Sequence, residues 1–354
     1  MMNRNTRRSV VLVAACLLAA YAALSARPAA CGTLTVQEQE PNYKYVTKPA
    51  ANVFIQRTSS PNDLVSNATV GITQGVETNP LLDSSHKVDS YTQEMVDMHF
   101  KYPVFGSFLG FKNSNFGFNI VNTNYYKQTD VNTMYAVGDL SIDREIADKV
   151  TLSPGYVFEY MYFPNAEDGT FVGNQFNVSA KQSLRDWAYQ KGAYRVIIRN
   201  YLSDKARLGD FSEANYNRFD VRNQFEHEFG VYIGNKTKFR ITNQFYINKS
   251  NYAYFDFYNY YNYRFGASLI RLVTKKLYTI TGFYYNRKNY MERHVSDRDA
   301  VERDNLYTVT TSVLYDLTKD LSIFVNYTHS ENHSNEPLQQ YVDTLYSAGF
   351  YYSF

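Results

Sequence analysis

The sequence is poor in cysteine. Its two cysteines, Cys16 and Cys31, both lie within the first 31 of 354 residues. The rest of the chain can therefore form neither an internal disulfide nor a cysteine-based metal site. This scarcity agrees with passage of the chain through an oxidising compartment.

Long apolar runs and an excess of one charge are lacking as well. Beyond the N-terminus, no stretch approaches the roughly 20 apolar residues that a membrane-spanning helix requires. The 36 Lys and Arg residues nearly balance the 34 Asp and Glu residues, so the sequence offers no domain-wide basic surface of the kind that binds nucleic acid. These absences argue against a helical membrane protein and against a nucleic-acid partner.

Aromatic residues, in contrast, are abundant, with 34 Tyr and 24 Phe. The mean hydropathy of −0.44 is nevertheless that of a polar protein. In a transmembrane β-barrel every second residue faces lipid and the others face a polar interior, so many aromatic residues coexist with a polar average. The composition therefore favours a barrel.

The first 26 residues predict a secretory signal peptide. A basic region with several arginines precedes an apolar stretch at residues 9–24, and the small residues Ser25 and Ala26 follow. We expect cleavage after Ala26, because about 16 apolar residues are few for a membrane anchor. An N-terminal anchor and lipidation at Cys31 are the alternatives.

Residues 27–66 are polar and rich in turn-forming residues such as Pro41, Pro49 and Pro61. They show no periodicity that would indicate a helix or a strand. We interpret this segment as a periplasmic leader or a small plug, and we expect the barrel to occupy residues 67–354.

From residue 67 onward the chain consists of stretches that alternate with period two. In one of them Val96 and Phe100 share a face, and Asp97 and Lys101 share the opposite face. The stretches reach or exceed the 9–11 residues of a tilted spanning strand, whereas strands of soluble sandwiches are typically about 5–6 residues long. The predicted strands are residues 67–75, 90–104, 115–128, 133–146, 150–163, 170–184, 193–203, 216–229, 238–248, 254–271, 277–288, 305–317, 321–330 and 340–354.

The predicted fold class is therefore all-β, a single transmembrane antiparallel up-and-down β-barrel of about 14 strands, with twelve or sixteen as alternatives. If both chain ends are periplasmic, the links after even-numbered strands should be short and those after odd-numbered strands long. Residues 147–149 and 317–320 form short links of the first kind, and residues 76–89 and 289–304 form long links of the second kind.

The C-terminus carries a recognisable motif. Ser347, Gly349, Tyr352 and Phe354 match the pattern polar–x–Gly–x–x–aromatic–x–aromatic at every position. This segment resembles the membrane-insertion signal of bacterial outer-membrane proteins. The resemblance implies localisation in the bacterial outer membrane, with outer-membrane lipid and the barrel-assembly machinery as partners.

A second resemblance is shorter. Gly71, Gly75 and Asn79 form a Gly-x-x-x-Gly-x-x-x-Asn phrase similar to the start of the barrels of surface-lipoprotein assembly modifiers and of exopolysaccharide-export systems. It covers about a dozen residues, and the chain lacks the helical-repeat domain that usually precedes the barrel in the assembly modifiers. It implies envelope export components as partners.

Catalytic and metal-binding signatures are weak. The sequence has no Gly-x-Ser-x-Gly elbow, and its histidines are scattered. His329 and His333 flank Glu331 in a predicted external loop. They form either a weak metal site or two solvated histidines. A zinc site requires three or four ligands. We expect the charged segment at residues 287–304 to be a hydrated external loop. Binding of lipid phosphates and inward folding are the alternatives. We predict no enzyme, no cofactor and no metal.

Charged residues on the predicted inward face are candidates for lining a pore. They are Asp97, Lys101, Arg195, Arg199, Arg218, Asp220, Arg222 and Arg240. One interpretation is an electropositive pore wall that favours anions, and the other is a salt-bridged lining that stiffens or plugs a narrow barrel.

Three functions follow from these features. The first hypothesis is a monomeric, passive channel or export-associated barrel that passes small or anionic solutes or envelope polymers. The alternative is a structural or adhesive surface protein with a blocked lumen. The third is an outer-membrane enzyme.

Overall fold

The computed structural model describes residues 65–82, 87–103, 111–166, 169–202, 218–234, 236–251, 258–296 and 299–354. The predicted signal peptide and residues 27–64 of the predicted leader or plug lie outside these ranges, so both stay predictions. Within the same ranges, no helix is long and apolar enough to cross a membrane.

Fourteen strands form one closed antiparallel barrel in which each strand pairs with its neighbours in the chain. The predicted fold class and strand number are therefore confirmed. The strands are β1 (Val65–Glu77), β2 (Asp89–Pro103), β3 (Phe111–Tyr125), β4 (Thr133–Ala147), β5 (Val150–Tyr162), β6 (Phe171–Arg185), β7 (Ala188–Tyr201), β8 (Phe219–Ile233), β9 (Thr237–Ser250), β10 (Tyr260–Leu272), β11 (Leu277–His294), β12 (Val301–Asp316), β13 (Leu321–Ser334) and β14 (Tyr341–Ser353). Two short 3₁₀ turns, Thr129–Val131 and Pro337–Gln339, precede β4 and β14.

The barrel closes where β14 pairs with β1, over a register that runs from Thr69 opposite Ser353 to Glu77 opposite Leu345. Glycines make this seam close-packed. A Cβ on Gly71 would lie 2.6 Å from the ring of Tyr351, and a Cβ on Gly75 would lie 2.3 Å from the ring of Tyr91. The Gly-x-x-x-Gly phrase thus has a packing role, because its glycines leave room for inward-facing tyrosine rings.

The links show the expected asymmetry. Residues 148–149 and 186–187 make two-residue links after even-numbered strands, whereas residues 78–88 and 202–218 follow odd-numbered strands. The β2–β3 link, residues 104–110, is the longest of the even-to-odd set. We call the two ends of the barrel the short-turn end and the long-loop end.

Several predicted strand ends are wrong at the long-loop end. Strand β11 continues to His294 and β12 begins at Val301, so most of the predicted loop at 289–304 is strand, and β13 continues to Ser334. Alternation in hydropathy fails as a signal there because both faces of these segments are polar. The ladder hydrogen bonds continue regardless of side-chain polarity.

Candidate functional site

The pairing register identifies the inward face of every strand, since residues directly opposite each other across a ladder lie on the same face. Buried Thr69 pairs with Asp97, which in turn pairs with Asn119. Lys101 is four residues from Asp97 on the same strand, so this alternation places it inward as well. Followed around the barrel, the pairing register also places inward the predicted strand residues Arg195, Arg199, Asp220, Arg222 and Arg240. Arg218 directly precedes β8 and is buried.

The inward residues near the long-loop end of β5–β10 form what we call the upper level. Its members are Glu159, Phe171, Arg199, Tyr201, Arg218, Asp220, Arg222, Asn248 and Tyr260, all of them buried. In this level Arg199 Nε lies 3.0 Å from Glu159 Oε1, and the guanidinium of Arg199 lies 5.0 Å from the ring centroid of Phe171.

The Arg199–Glu159 pair joins two strands that are not neighbours. Gly173 of β6 stands between them, paired with Glu159 on one side and with Arg199 on the other. A Cβ at Gly173 would lie 2.2 Å from Glu159 Cγ. The ion pair therefore depends on the missing side chain of the middle strand. Sequence reasoning missed Glu159, although the alternation within β5 already places it inward.

Arg218 is held by a carboxylate and two aromatic rings. Its Nε and Nη2 atoms lie 3.0 and 2.6 Å from the two carboxylate oxygens of Asp220. The guanidinium carbon lies 3.3 Å from the ring centroid of Tyr258 and 4.2 Å from that of Tyr201. Asn248 Nδ2 also donates to Asp220, at 3.3 Å. This bidentate, desolvated arrangement is a strong charge-assisted contact.

Arg222 makes a different set of contacts in the same level. Its Nη2 donates to the hydroxyl of Tyr260 at 2.7 Å, and its guanidinium lies 4.3 Å from the ring centroid of Tyr246. Together with the two ion pairs, this contact makes the upper level a salt-bridged and aromatic lining. Arg199, Arg218 and Arg222 therefore belong to the packed interior.

Inward residues nearer the short-turn end, which we call the lower level, have more solvent around them. The lower level comprises Lys181, Lys191, Arg195, Glu226, Glu228, Lys238, Arg240 and Arg264. Arg195 and Glu226 form a 2.6 Å ion pair in which both side chains are 22% exposed. Arg240 lies 3.6 Å from Glu228 and is 35% exposed. Lys181 and Arg264 are exposed although they point into the barrel.

Acidic residues line the other side of the interior. Asn119 Nδ2 donates to Asp97 at 3.1 Å, and His99 Nε2 lies 3.0 Å from the same carboxylate. Sequence reasoning did not single out Asp143 and Asp316. These carboxylates accept from Ser153 Oγ at 2.6 Å and from Ser322 Oγ at 2.7 Å, respectively.

The histidine pair is not in a loop, so that prediction is wrong. His329 and His333 lie on β13 and point outward, and their Nε2 atoms lie 3.1 and 3.3 Å from the two carboxylate oxygens of Glu331. In the part of the chain that the structure describes, no group of three or more His, Cys, Asp or Glu residues could hold a metal ion.

The charged segment at 287–304 also differs from its predicted form as a hydrated loop. Arg293 Nε lies 2.8 Å from Glu302 Oε2, and Glu302 is buried. Lys288 pairs with Asp304 across the β11–β12 ladder. Arg293 and Lys288 thus each lie opposite a carboxylate on the neighbouring strand, within two strands that are paired further than the sequence predicts.

The C-terminal motif divides between the two faces of β14. Ser347 and Gly349 point inward, and Tyr352 and Phe354 point outward and are exposed. Large apolar residues such as Phe225 and Val325 are likewise exposed on the outer surface. A continuous outer surface of this kind is stable only when lipid covers it. The chain therefore folds as a closed β-barrel whose outer surface suits a lipid environment.

Solved outer-membrane proteins resemble this chain only distantly. No family model matches the chain, and no curated protein matches it. Outer-membrane expressed OmpT of Vibrio cholerae is 9% identical, with a TM-score of 0.48 over 84% of this chain and 99% of its own. An anion-selective porin from Comamonas acidovorans is 8% identical, with a TM-score of 0.44 over 82% of this chain and 99% of its own. An outer membrane channel from Pseudomonas putida F1 is 11% identical, with a TM-score of 0.41 over 84% of this chain and 98% of its own.

Proposed function

We propose that the protein is a passive outer-membrane channel for small polar solutes. The observation that carries this proposal is the exposure of Lys181 and Arg264, which point into a closed barrel and are nevertheless in contact with solvent. An exposed charged side chain on the inner wall leaves room beside it that water can occupy. Fourteen strands lie between the filled eight-stranded barrels and the open 16-stranded porins.

The upper level supports restricted passage. Buried Arg199, Arg218 and Tyr260 occupy inner-wall space near the long-loop end. Their contacts hold them in place, because each guanidinium is paired with a carboxylate or packed on an aromatic ring. We expect this level to narrow the path and to limit the size of the solute.

Single-channel recording in a planar bilayer tests the proposal. Purified, heat-modifiable protein should produce discrete conductance steps. Arg264→Glu should shift the ion selectivity toward cations, because it reverses a charge that water reaches inside the barrel. Lys319→Glu, in a turn at the short-turn end, is the control and should shift it less. Folded protein without conductance would contradict the channel.

The second candidate is a structural or adhesive surface protein with a blocked lumen. The burial of the upper level favours it, since buried ion pairs and stacked rings also suit a plug. This candidate predicts no conductance from the folded wild type and measurable conductance from Asp220→Ala, which loosens the upper level. Conductance steps from the wild type would exclude it. A monomeric state, export partners and the lack of enzymatic activity stay predictions.

A further inference from the structure

The inner wall of the barrel separates charge by sign. The inward faces of β6–β11 form a basic arc, and those of β12–β14 together with β1–β5 form an acidic arc. The inward bases on the basic arc are Lys181, Lys191, Arg195, Arg199, Arg222, Lys238, Arg240, Arg264 and Lys288. The inward acids on the acidic arc are Glu77, Asp89, Asp97, Asp139, Asp143, Glu159, Asp304, Asp316 and Asp343.

Each arc also has residues of the other sign. Lys101 lies on the acidic arc, and Asp220, Glu226 and Glu228 lie on the basic arc. The carboxylates on the basic arc are engaged locally: Asp220 with Arg218, Glu226 with Arg195, and Glu228 with Arg240. Arg199 is paired with Glu159 and Lys288 lies opposite Asp304, both on the acidic arc. The positive charge of the basic arc therefore rests mainly on residues outside these pairs, such as Lys181, Lys238 and Arg264.

The two arcs face each other. In a closed ring of strands, those half a circuit apart lie on opposite sides, so β2–β4 lie across the interior from β9–β11. Asp97, Asp139 and Asp143 belong to the first group, and Lys238, Arg240 and Arg264 belong to the second. A solute inside the lower level therefore has negative charge on one side and positive charge on the other.

The way in which these charges are held preserves them. On the acidic arc, Asp143 and Asp316 accept hydrogen bonds from the neutral Ser153 and Ser322. Asn115 also donates to Asp143, at 3.1 Å. Neutral donors orient a carboxylate and leave its charge in place.

Aromatic rings do the same for bases on the basic arc. Lys181 and Lys238 lie 4.8 and 4.9 Å from the ring centroid of Tyr189, and Arg264 lies 4.9 Å from that of Tyr284. A ring face positions a cation without neutralising it. The net positive wall and the net negative wall are thus both built features of the interior.

We infer that the interior favours small zwitterionic solutes, whose ammonium and carboxylate groups face the acidic and basic arcs at the same time. The inference rests on the proposed channel. A simple cation or anion is attracted by one wall and repelled by the other, and a neutral polyol gains nothing from either. Weak selectivity between simple ions and a preference for zwitterions follow from the same arrangement.

Swelling of proteoliposomes tests the inference with serine as the zwitterion and erythritol as a neutral solute of similar size. Three proteins are compared with the wild type. The basic-arc variant carries Lys181→Gln, Lys238→Gln and Arg264→Gln, and the acidic-arc variant carries Asp97→Asn, Asp143→Asn and Asp316→Asn. The control carries Lys275→Gln and Lys319→Gln, both in turns at the short-turn end.

The serine-to-erythritol ratio should fall in both arc variants, on the order of threefold to tenfold, because each loses one wall. The control should keep the wild-type ratio. Reversal potentials should move in opposite directions, toward cations in the basic-arc variant and toward anions in the acidic-arc variant. If the serine-to-erythritol ratio fell in one arc variant and rose in the other, the arcs would act only through ordinary ion selectivity. That result would overturn the inference. Erythritol entry with an equal ratio in all four proteins would overturn it while leaving the channel intact, whereas swelling with neither solute would contradict the channel as well.

Discussion

The upper and lower levels of the inner wall use the same residue type with different results. The side chains of Arg199 and Arg218 are 4% and 2% exposed, whereas those of Arg195 and Arg240 are 22% and 35% exposed. Arg199 and Arg218 lie against the rings of Phe171, Tyr201 and Tyr258. The lower arginines have small neighbours, since Ala193 is beside Arg195, and Gly230 and Ser268 pair with Arg240. The size of the neighbouring side chains thus decides whether an inward arginine becomes part of the packing or faces water.

The largest difference between the levels should appear when one carboxylate is removed from each. Asp220→Ala should lower the free energy of unfolding by about 3–5 kcal/mol, because it breaks a buried ion pair. Glu226→Ala breaks a pair that water reaches, and we expect a loss of about 1 kcal/mol or less. Urea titration of the refolded protein in lipid vesicles measures both. Equal losses would show that burial does not distinguish the levels.

A smaller effect should follow from crowding the upper level. Gly173→Ala places a methyl group against Glu159 and displaces it from Arg199, at an expected loss of about 1–3 kcal/mol. Gly192→Ala is the matched control on the neighbouring strand, because no atom lies within 4 Å of a Cβ built there. The same urea titration applies. If Gly192→Ala lowered the free energy of unfolding as much as Gly173→Ala, the effect would come from the strand propensity of alanine and not from packing against Glu159.

In the lower level, charge should be removable at little cost to stability. Arg240→Gln keeps a hydrogen-bonding side chain near Ser268, which now accepts from Arg240 Nε at 3.2 Å. We expect the free energy of unfolding to change by less than about 1 kcal/mol and the anion permeability to fall. Reversal potentials and urea midpoints are measured on the same preparation. A large loss of stability without a change in selectivity would assign Arg240 to packing.

The smallest effect concerns Glu336, in the link between β13 and β14 at the long-loop end. Burial raises the pKa of Glu336, but hydrogen bonds from Ser296 and Leu338, together with the charge of Arg293, hold this pKa below its usual value. The N–H and hydroxyl of Ser296 donate to Glu336 at 2.7 and 2.9 Å. A carboxyl group whose pKa is lower in the folded protein than in the unfolded protein stabilises the fold at pH values above its unfolded-state pKa. This stabilisation is lost as the pH falls through the folded-state pKa.

Glu336→Gln removes that contribution. Between about pH 7 and about pH 3 the wild type should therefore lose roughly 1 kcal/mol more than the variant. Urea midpoints at the two pH values provide the measurement. A pH dependence unchanged by Glu336→Gln would exclude the carboxylate as its source.

Alternation was sufficient to predict fourteen strands because lipid on one face and water on the other impose a strict period of two. The prediction failed where lipid is absent from both faces. Residues 287–294, 301–304 and 329–333 lie in strands whose two faces are largely polar, so the pattern contains little contrast there. Cross-strand pairs such as Arg293 with Glu302 become visible only in the folded barrel.

The candidate site was predictable in part. The inward orientation of Arg195, Arg199 and Asp220 follows from parity within each strand. Their partners do not follow from it, since the Arg199–Glu159 pair crosses a strand at Gly173. Such a contact depends on the register between strands, which the period of two leaves open.

The sequence by itself indicated about fourteen strands, the inward or outward side of most residues, and the C-terminal motif of Ser347, Gly349, Tyr352 and Phe354. Each of these is a local property, written within a single strand. The tertiary structure decided the burial of the upper-level arginines and the division of the inner wall into a basic and an acidic arc. Both depend on closure, because only the ring of strands and its register make neighbours or opposite walls of residues far apart in the chain.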